Sequence, residues 1–218
     1  MKYVIYILLT LFLLASCQKE EYVGTPRGMG TLVLETLSVQ TENVNTVFTR
    51  AVEPDLYVEI WQNGQLLTGQ RYEPGKVPGK LDLPAGVYLL KTYNQAYQDM
   101  SGWLDTEKGN MAFSAEKDFE IESNEINYLS VEVPMVNIGV SLKLPEGFSD
   151  RFKDYHFTVQ VGNRSVEISN GETAYFPLSE VTYILSATNN DGENKTKSKT
   201  IKFNFDKDHS IHEIFKMT

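Results

Sequence analysis

Short runs that alternate apolar and polar residues recur along this chain, and tight-turn residues separate them. Leu56 to Gln62 (LYVEIWQ) places Tyr57, Glu59 and Trp61 on one face of a strand and Leu56, Val58 and Ile60 on the other. Asn63-Gly64 follows, a strong hairpin-turn signal, and the chain returns through Leu66 to Tyr72. Gly30 to Val39 reads as the first strand, and Lys80 to Pro84, Val87 to Tyr93, Phe113 to Ile121 and Ile126 to Val133 complete a first unit. Pro134 closes it, at a strand end where a missing N–H does least harm. The second unit reads as strands at Val136–Leu144, Tyr155–Val161, Ser165–Ile168, Ala174–Phe176, Tyr183–Ala187, Thr200–Phe205 and Ile211–Phe215. Pro145 to Phe152 is the best helical candidate, Gln40–Pro54 and Asn94–Asn110 read as irregular, and Asn189 to Gly192 is a hairpin loop. Strands at this spacing exclude a helical bundle and predict an all-β chain. The expected architecture is two consecutive β-sandwich domains, residues 30–134 and 135–218.

The N-terminus carries an address. Lys2 precedes a 13-residue apolar run, Tyr3 to Ala15, which is too short to span a bilayer and fits a secretory signal. Leu14-Ala15-Ser16-Cys17 resembles the bacterial lipobox. That resemblance implies cleavage after Ser16 and acylation of Cys17, the only cysteine among the 218 residues. Each buried methylene contributes about 0.8 kcal/mol, so several acyl chains anchor a protein without a spanning segment. Residues 1–16 are thus expected to be a lipoprotein signal peptide, and residues 17–29 a lipidated flexible tether. Gln18-Lys19-Glu20-Glu21 resembles the export tag of Bacteroidota surface lipoproteins, which implies an outer-membrane protein facing the exterior.

Charge and residue usage narrow the chemistry. With 20 Lys+Arg against 29 Asp+Glu the net charge is −9, which disfavours nucleic acid. One cysteine allows neither an intrachain disulfide nor a multi-thiolate zinc site. His209 and His212, with Asp206 and Asp208, would sit on opposite faces of a strand and predict no metal site. No nucleophile elbow, phosphate loop or dinucleotide glycine pattern occurs. The expectation is a non-enzyme without cofactors.

Several segments together carry a family resemblance. They are the lipobox with Gln18 to Glu21, the strand GTLVLETLSV, Thr49-Arg50-Ala51-Val52 before LYVEIW, Leu83–Asn94 (LPAGVYLLKTYN) and Val136–Val159. In this order they resemble an uncharacterised family of Bacteroidales surface lipoproteins, a domain of unknown function close to the fimbrillin-like proteins of type V pili. The resemblance implies transthyretin-like sandwich domains and a structural or adhesive subunit or anchor. It implies assembly by strand addition, in which a cut after an arginine past the first strand opens a groove for a neighbour's strand. Arg50 is the residue at that position. The alternative expectation is a glycan-binding accessory lipoprotein of a nutrient-uptake system. Its platform would be Tyr97 and Trp103, flat rings among Asn, Gln and Asp within Asn94–Asn110.

Overall fold

A computed structural model describes residues 28–40 and 55–202. Ser16, Cys17, Arg50, the histidine pair and the expected strand at 211–215 lie outside the described residues. Among the described residues thirteen strands dominate: β1 (Met29–Gln40), β2 (Leu56–Gln62), β3 (Gln65–Tyr72), β4 (Leu81–Pro84), β5 (Gly86–Asn94), β6 (Ser114–Ile121), β7 (Ile126–Pro134), β8 (Asn137–Ser141), β9 (Phe152–Val161), β10 (Arg164–Glu167), β11 (Thr173–Pro177), β12 (Val181–Asn189) and β13 (Asn194–Ile201). The helices are short: α1 (Gln95–Asp99) with a 3-10 turn behind it at Met100–Gly102, and α2 (Phe148–Arg151). The all-β sandwich expectation holds.

The strands form four sheets, ordered β4-β1-β7, β3-β2-β5-β6, β10-β9-β12-β13 and β11-β8. Alternation decides which residues face inward. In β2, Leu56, Val58 and Ile60 are buried, as are Tyr88, Leu90 and Thr92 of β5. The five apolar ones among them pack with Leu32, Leu81, Leu83, Leu129, Val131 and Val133 of the three-stranded sheet into one core. Each such Leu, Val or Ile contributes roughly 1.5–3 kcal/mol by leaving water. A second core joins Phe157, Val159, Val161, Val181, Tyr183 and Leu185 to Ile138, Val140, Ala174 and Phe176. The β2-β3 turn uses Asn63 at φ 52° and Gly64 at φ 75°, the two positive angles of the favoured hairpin turn.

β1 occupies the middle of its sheet. It runs antiparallel to β4, from Met29↔Pro84 to Leu32↔Leu81, and parallel to β7, from Thr31↔Ile126 to Gln40↔Pro134. Leu32 is buried there, and the Thr31 hydroxyl donates to Asp82 Oδ1 at 2.7 Å.

Local readings differ in three places. Asn94–Asn110 is not wholly irregular: Asn94 Oδ1 accepts from Tyr97 N at 3.1 Å, capping α1. The helix expected over residues 145–152 is a single turn, and β9 begins at Phe152. The last described strand starts at Asn194, well before Thr200. NKTKSK has no apolar face to betray it. Among the described residues it pairs with β12, at the end of the sheet, where lysines are the ordinary occupants.

Candidate functional site

The face of LYVEIWQ turned away from the core becomes the most structured surface patch. Register sets it in rows. Tyr57 of β2 lies beside Tyr93 of β5, and Glu59 lies between Arg71 of β3 and Lys91 of β5. Trp61 lies between Leu66 and Leu89. Lys91 in turn lies beside Glu116 of β6 and binds it at 2.7 Å.

Glu59 organises the patch. It is only 7% exposed although it points away from the core. A buried carboxylate needs donors to offset lost hydration. Trp61 Nε1 donates to its Oε2 at 2.8 Å, the Tyr93 hydroxyl to its Oε1 at 2.5 Å, and Arg71 Nε lies 3.4 Å from Oε1. The rings lock around it. Tyr57 stacks on Tyr93 at 5.6 Å, and Tyr97 of α1 tilts against Tyr93 at 6.0 Å. Lys91 Nζ sits 4.7 Å over the Trp61 ring, and Arg71 sits 5.8 Å over Tyr57. Both carboxylate oxygens are engaged, so the arrangement holds a surface in shape.

Tyr93 records this environment. Burial first, then the hydrogen bond to Glu59 and its negative charge, push its hydroxyl pKa up to about 12, against a smaller opposing effect of Arg71. The folded protein therefore favours the neutral phenol more than the unfolded chain does. That contribution to stability is complete below about pH 10 and disappears as pH rises from there through about 12. In Glu59→Gln the Tyr93 tyrosinate step, identified by its loss in Tyr93→Phe, should move down toward the ordinary tyrosine range. An unmoved step would show that Glu59 does not set it.

The other proposed ring, Trp103, belongs to a different cluster. Its ring packs on Gly109, where an added Cβ would lie 2.6 Å from it, at a φ of +68° that also favours glycine. The Arg164 guanidinium of β10 lies 5.4 Å from the Trp103 ring centre and 4.7 Å from that of Phe176 in β11. Arg164 then gathers three carbonyls: Leu104 at 3.2 Å, Tyr175 at 2.6 Å, and Glu107. Around it Tyr175 N donates to Lys108 O at 2.6 Å, Ser165 N to Asp105 Oδ1 at 3.1 Å, and Lys108 pairs with Glu172. Asn137, 2% exposed, closes the base by accepting from Ala112 N and donating to Asn110 O. Residues 103–112, from the half that holds the first core, are thereby tied to the second sandwich.

Of the two proposed platform residues, Tyr97 is 41% exposed on the patch and Trp103 is part of this clasp. Glu59, Arg71 and Arg164 were not anticipated. Glu59 had a signal in Tyr-x-Glu-x-Trp on one strand face, while Arg71 joins it only through register. Arg164 had none, because two of its three carbonyl partners lie about 60 residues away. Among the described residues no group of His, Cys, Asp and Glu is arranged to hold a metal ion, and no helix is long and apolar enough to cross a membrane.

A family model described as Domain of unknown function (DUF4493) matches residues 28–214, most of the chain. The chain belongs to this family. The DUF4493 match spans both cores. No curated protein matches the chain. Among solved structures, the crystal structure of a putative adhesin from Bacteroides ovatus is similar at 13% identity, over 80% of this chain and 83% of that one, with a TM-score of 0.41. The Bacillus anthracis TIE protein is similar at 15% identity, over 81% of this DUF4493 chain and 32% of that one, with a TM-score of 0.31.

Proposed function

We propose that this chain is a non-catalytic surface lipoprotein, a fimbrillin-like structural or adhesive subunit or anchor, held at the outer membrane by lipid on Cys17 and built from sandwich domains meeting at Pro134. One observation supports it most. β1 is the central strand of its sheet, and Arg50 falls in the segment that links it to β2. A cut after Arg50 would sever β1 covalently from the rest of the fold. Its departure would leave facing β4 and β7 edges with unpaired backbone groups over an apolar floor, a slot that a strand from a second chain can fill. The carbohydrate reading draws less support, because Trp103 is packed between Gly109 and Arg164.

The test is an immunoblot of outer-membrane fractions from the native host, heated and unheated in detergent, for the wild type and Arg50→Ala. The expected result is a ladder that collapses on heating and is lost in Arg50→Ala. A single band near the mature mass in every lane, with no cross-link to another chain, overturns the reading.

A further inference from the structure

The outer face of the sheet β3-β2-β5-β6 carries an ordered row of charges. Cross-strand partners share a face, so the row reads Arg71, Glu59, Lys91, Glu116 from one edge strand to the other. Its signs alternate. The neighbouring row toward the Asn63-Gly64 turn reads Leu66, Trp61, Leu89, Asp118. The row on the other side reads Tyr57, Tyr93, Ser114 on β2, β5 and β6. The inner charges are the more covered ones, and the outer two stand in solvent: the Arg71 side chain is 52% exposed and that of Glu116 56%. Leu66 and Tyr97 are exposed beside them. Tyrosine, tryptophan and arginine together are the residues that dominate the centres of protein interfaces.

This row is complementary to itself. Two sheets pack face to face about 10 Å apart with their strands nearly aligned. A closed pair of identical faces needs a two-fold axis lying between them. An axis along the strands, between β2 and β5, sets β2 over β5 of the second copy and β3 over its β6. Arg71 then lies over Glu116, and Glu59 over Lys91, so every charge in the row meets its opposite. Trp61 meets Leu89, and Tyr57 meets Tyr93. An axis across the strands, through the same row, would instead set Arg71 on Arg71 and Glu116 on Glu116. Like charges in contact are strongly unfavourable, so the alternation selects the first arrangement.

We propose that this face pairs with the same face of a second copy of the chain, about a two-fold axis along the strands, with Arg71 of each copy against Glu116 of the other. The charge pairs within each copy remain: Arg71 stays beside Glu59, and Lys91 beside Glu116. Each outer charge gains a second opposite neighbour across the interface. Four strands at about 4.8 Å and seven residues at about 3.3 Å make a face roughly 20 Å on a side, which places the pair among small, reversible interfaces. Neither β1 nor a cut after Arg50 takes part, so the pairing is independent of strand addition.

The experiment uses the full chain in detergent, carrying Arg50→Ala so that no cut after that residue contributes. Unlabelled and heavy-isotope-labelled molecules are mixed equally at roughly 0.1 mM, a concentration at which weak pairs form. Arg71→Lys keeps the charge and offers an amine to a zero-length carbodiimide cross-linker, and mass spectrometry reads the joined peptides. Within one copy three strand intervals hold positions 71 and 116 about 14 Å apart, beyond the reach of such a linker. The expected product joins position 71 to Glu116, with unlike isotopes found together. Links confined to like isotopes, or no link, overturn the proposal. Charge exchange gives an independent reading by sedimentation. Arg71→Glu alone and Glu116→Lys alone should each weaken pairing at least about tenfold, because like charges then meet in both symmetric contacts. A mixture of the two variants should pair as the wild type does, because opposite charges meet again in both contacts. Either variant pairing with itself as strongly as the wild type, or a mixture pairing no better than its parts, overturns it.

Discussion

Arg164→Ala is expected to lower stability by about 2–3 kcal/mol and to make residues 103–112 the first site of proteolysis. The magnitude follows from what the guanidinium does. Charge-assisted hydrogen bonds are worth about 1.5–3 kcal/mol, and removing a donor also strands its acceptors. Here the carbonyls of Leu104, Glu107 and Tyr175 lose their partner together, and the Trp103 and Phe176 rings lose a cation. Lysine should not rescue the defect, because one ammonium does not reproduce a planar fork spread over three acceptors. Chemical denaturation followed by limited proteolysis checks both effects. If Arg164→Ala is cut no faster within 103–112 than the wild type, the segment is held by Asn137 and Lys108 instead, and Arg164 is not the clasp.

The second large effect belongs to Gly30→Ala. This glycine needs space. An added Cβ would meet Ile121 Cγ2 at 2.7 Å and the Glu122 carbonyl oxygen closer still. The carbonyl belongs to the backbone between β6 and β7 and has nowhere to go. Overpacking of this kind costs about 3 kcal/mol, which corresponds to a fall of roughly 9 °C in Tm for a chain of this size. The cost falls at the start of β1, beside buried Leu32 and the Thr31–Asp82 bond. Gly79→Ala is the control, since nothing lies within 4 Å of its added Cβ. It should change Tm by no more than a degree or two. Equal losses in both variants would show that the tight contact at Gly30 does not decide stability.

The strands that could be read from sequence are those whose two faces differ chemically. β12 alternates buried and half-buried side chains, β2 does the same apart from buried Glu59, and the turn after β2 has the residues its angles require. β13 was missed because its core-side positions are lysines, so neither face looks apolar. Layer membership was also hidden. β6 and β7 follow one another across a short turn yet belong to different sheets, and β1 pairs with β7 across most of the first half. Periodicity reports faces but not partners. The aromatic patch was half legible: Tyr57, Glu59 and Trp61 shared a face on paper, while Tyr93 and Arg71 joined them only through register. Trp103 and Tyr97 sat close in sequence and invited a joint role, but the 3-10 turn after α1 separates a patch residue from a clasp residue.

The parallel pairing of β1 with β7 has a mechanical side. Residues before Met29 enter β1 at one end of the pair, and the chain leaves β7 at Pro134, at the other end, on its way to the second core. A pull between those two exits runs along both strands in opposite directions. Hydrogen bonds across such a pair are strained together, as in a lap joint, and not opened one by one like a zipper. A molecule tugged from its N-terminal side while its second sandwich is gripped would meet that load with the whole length of β1.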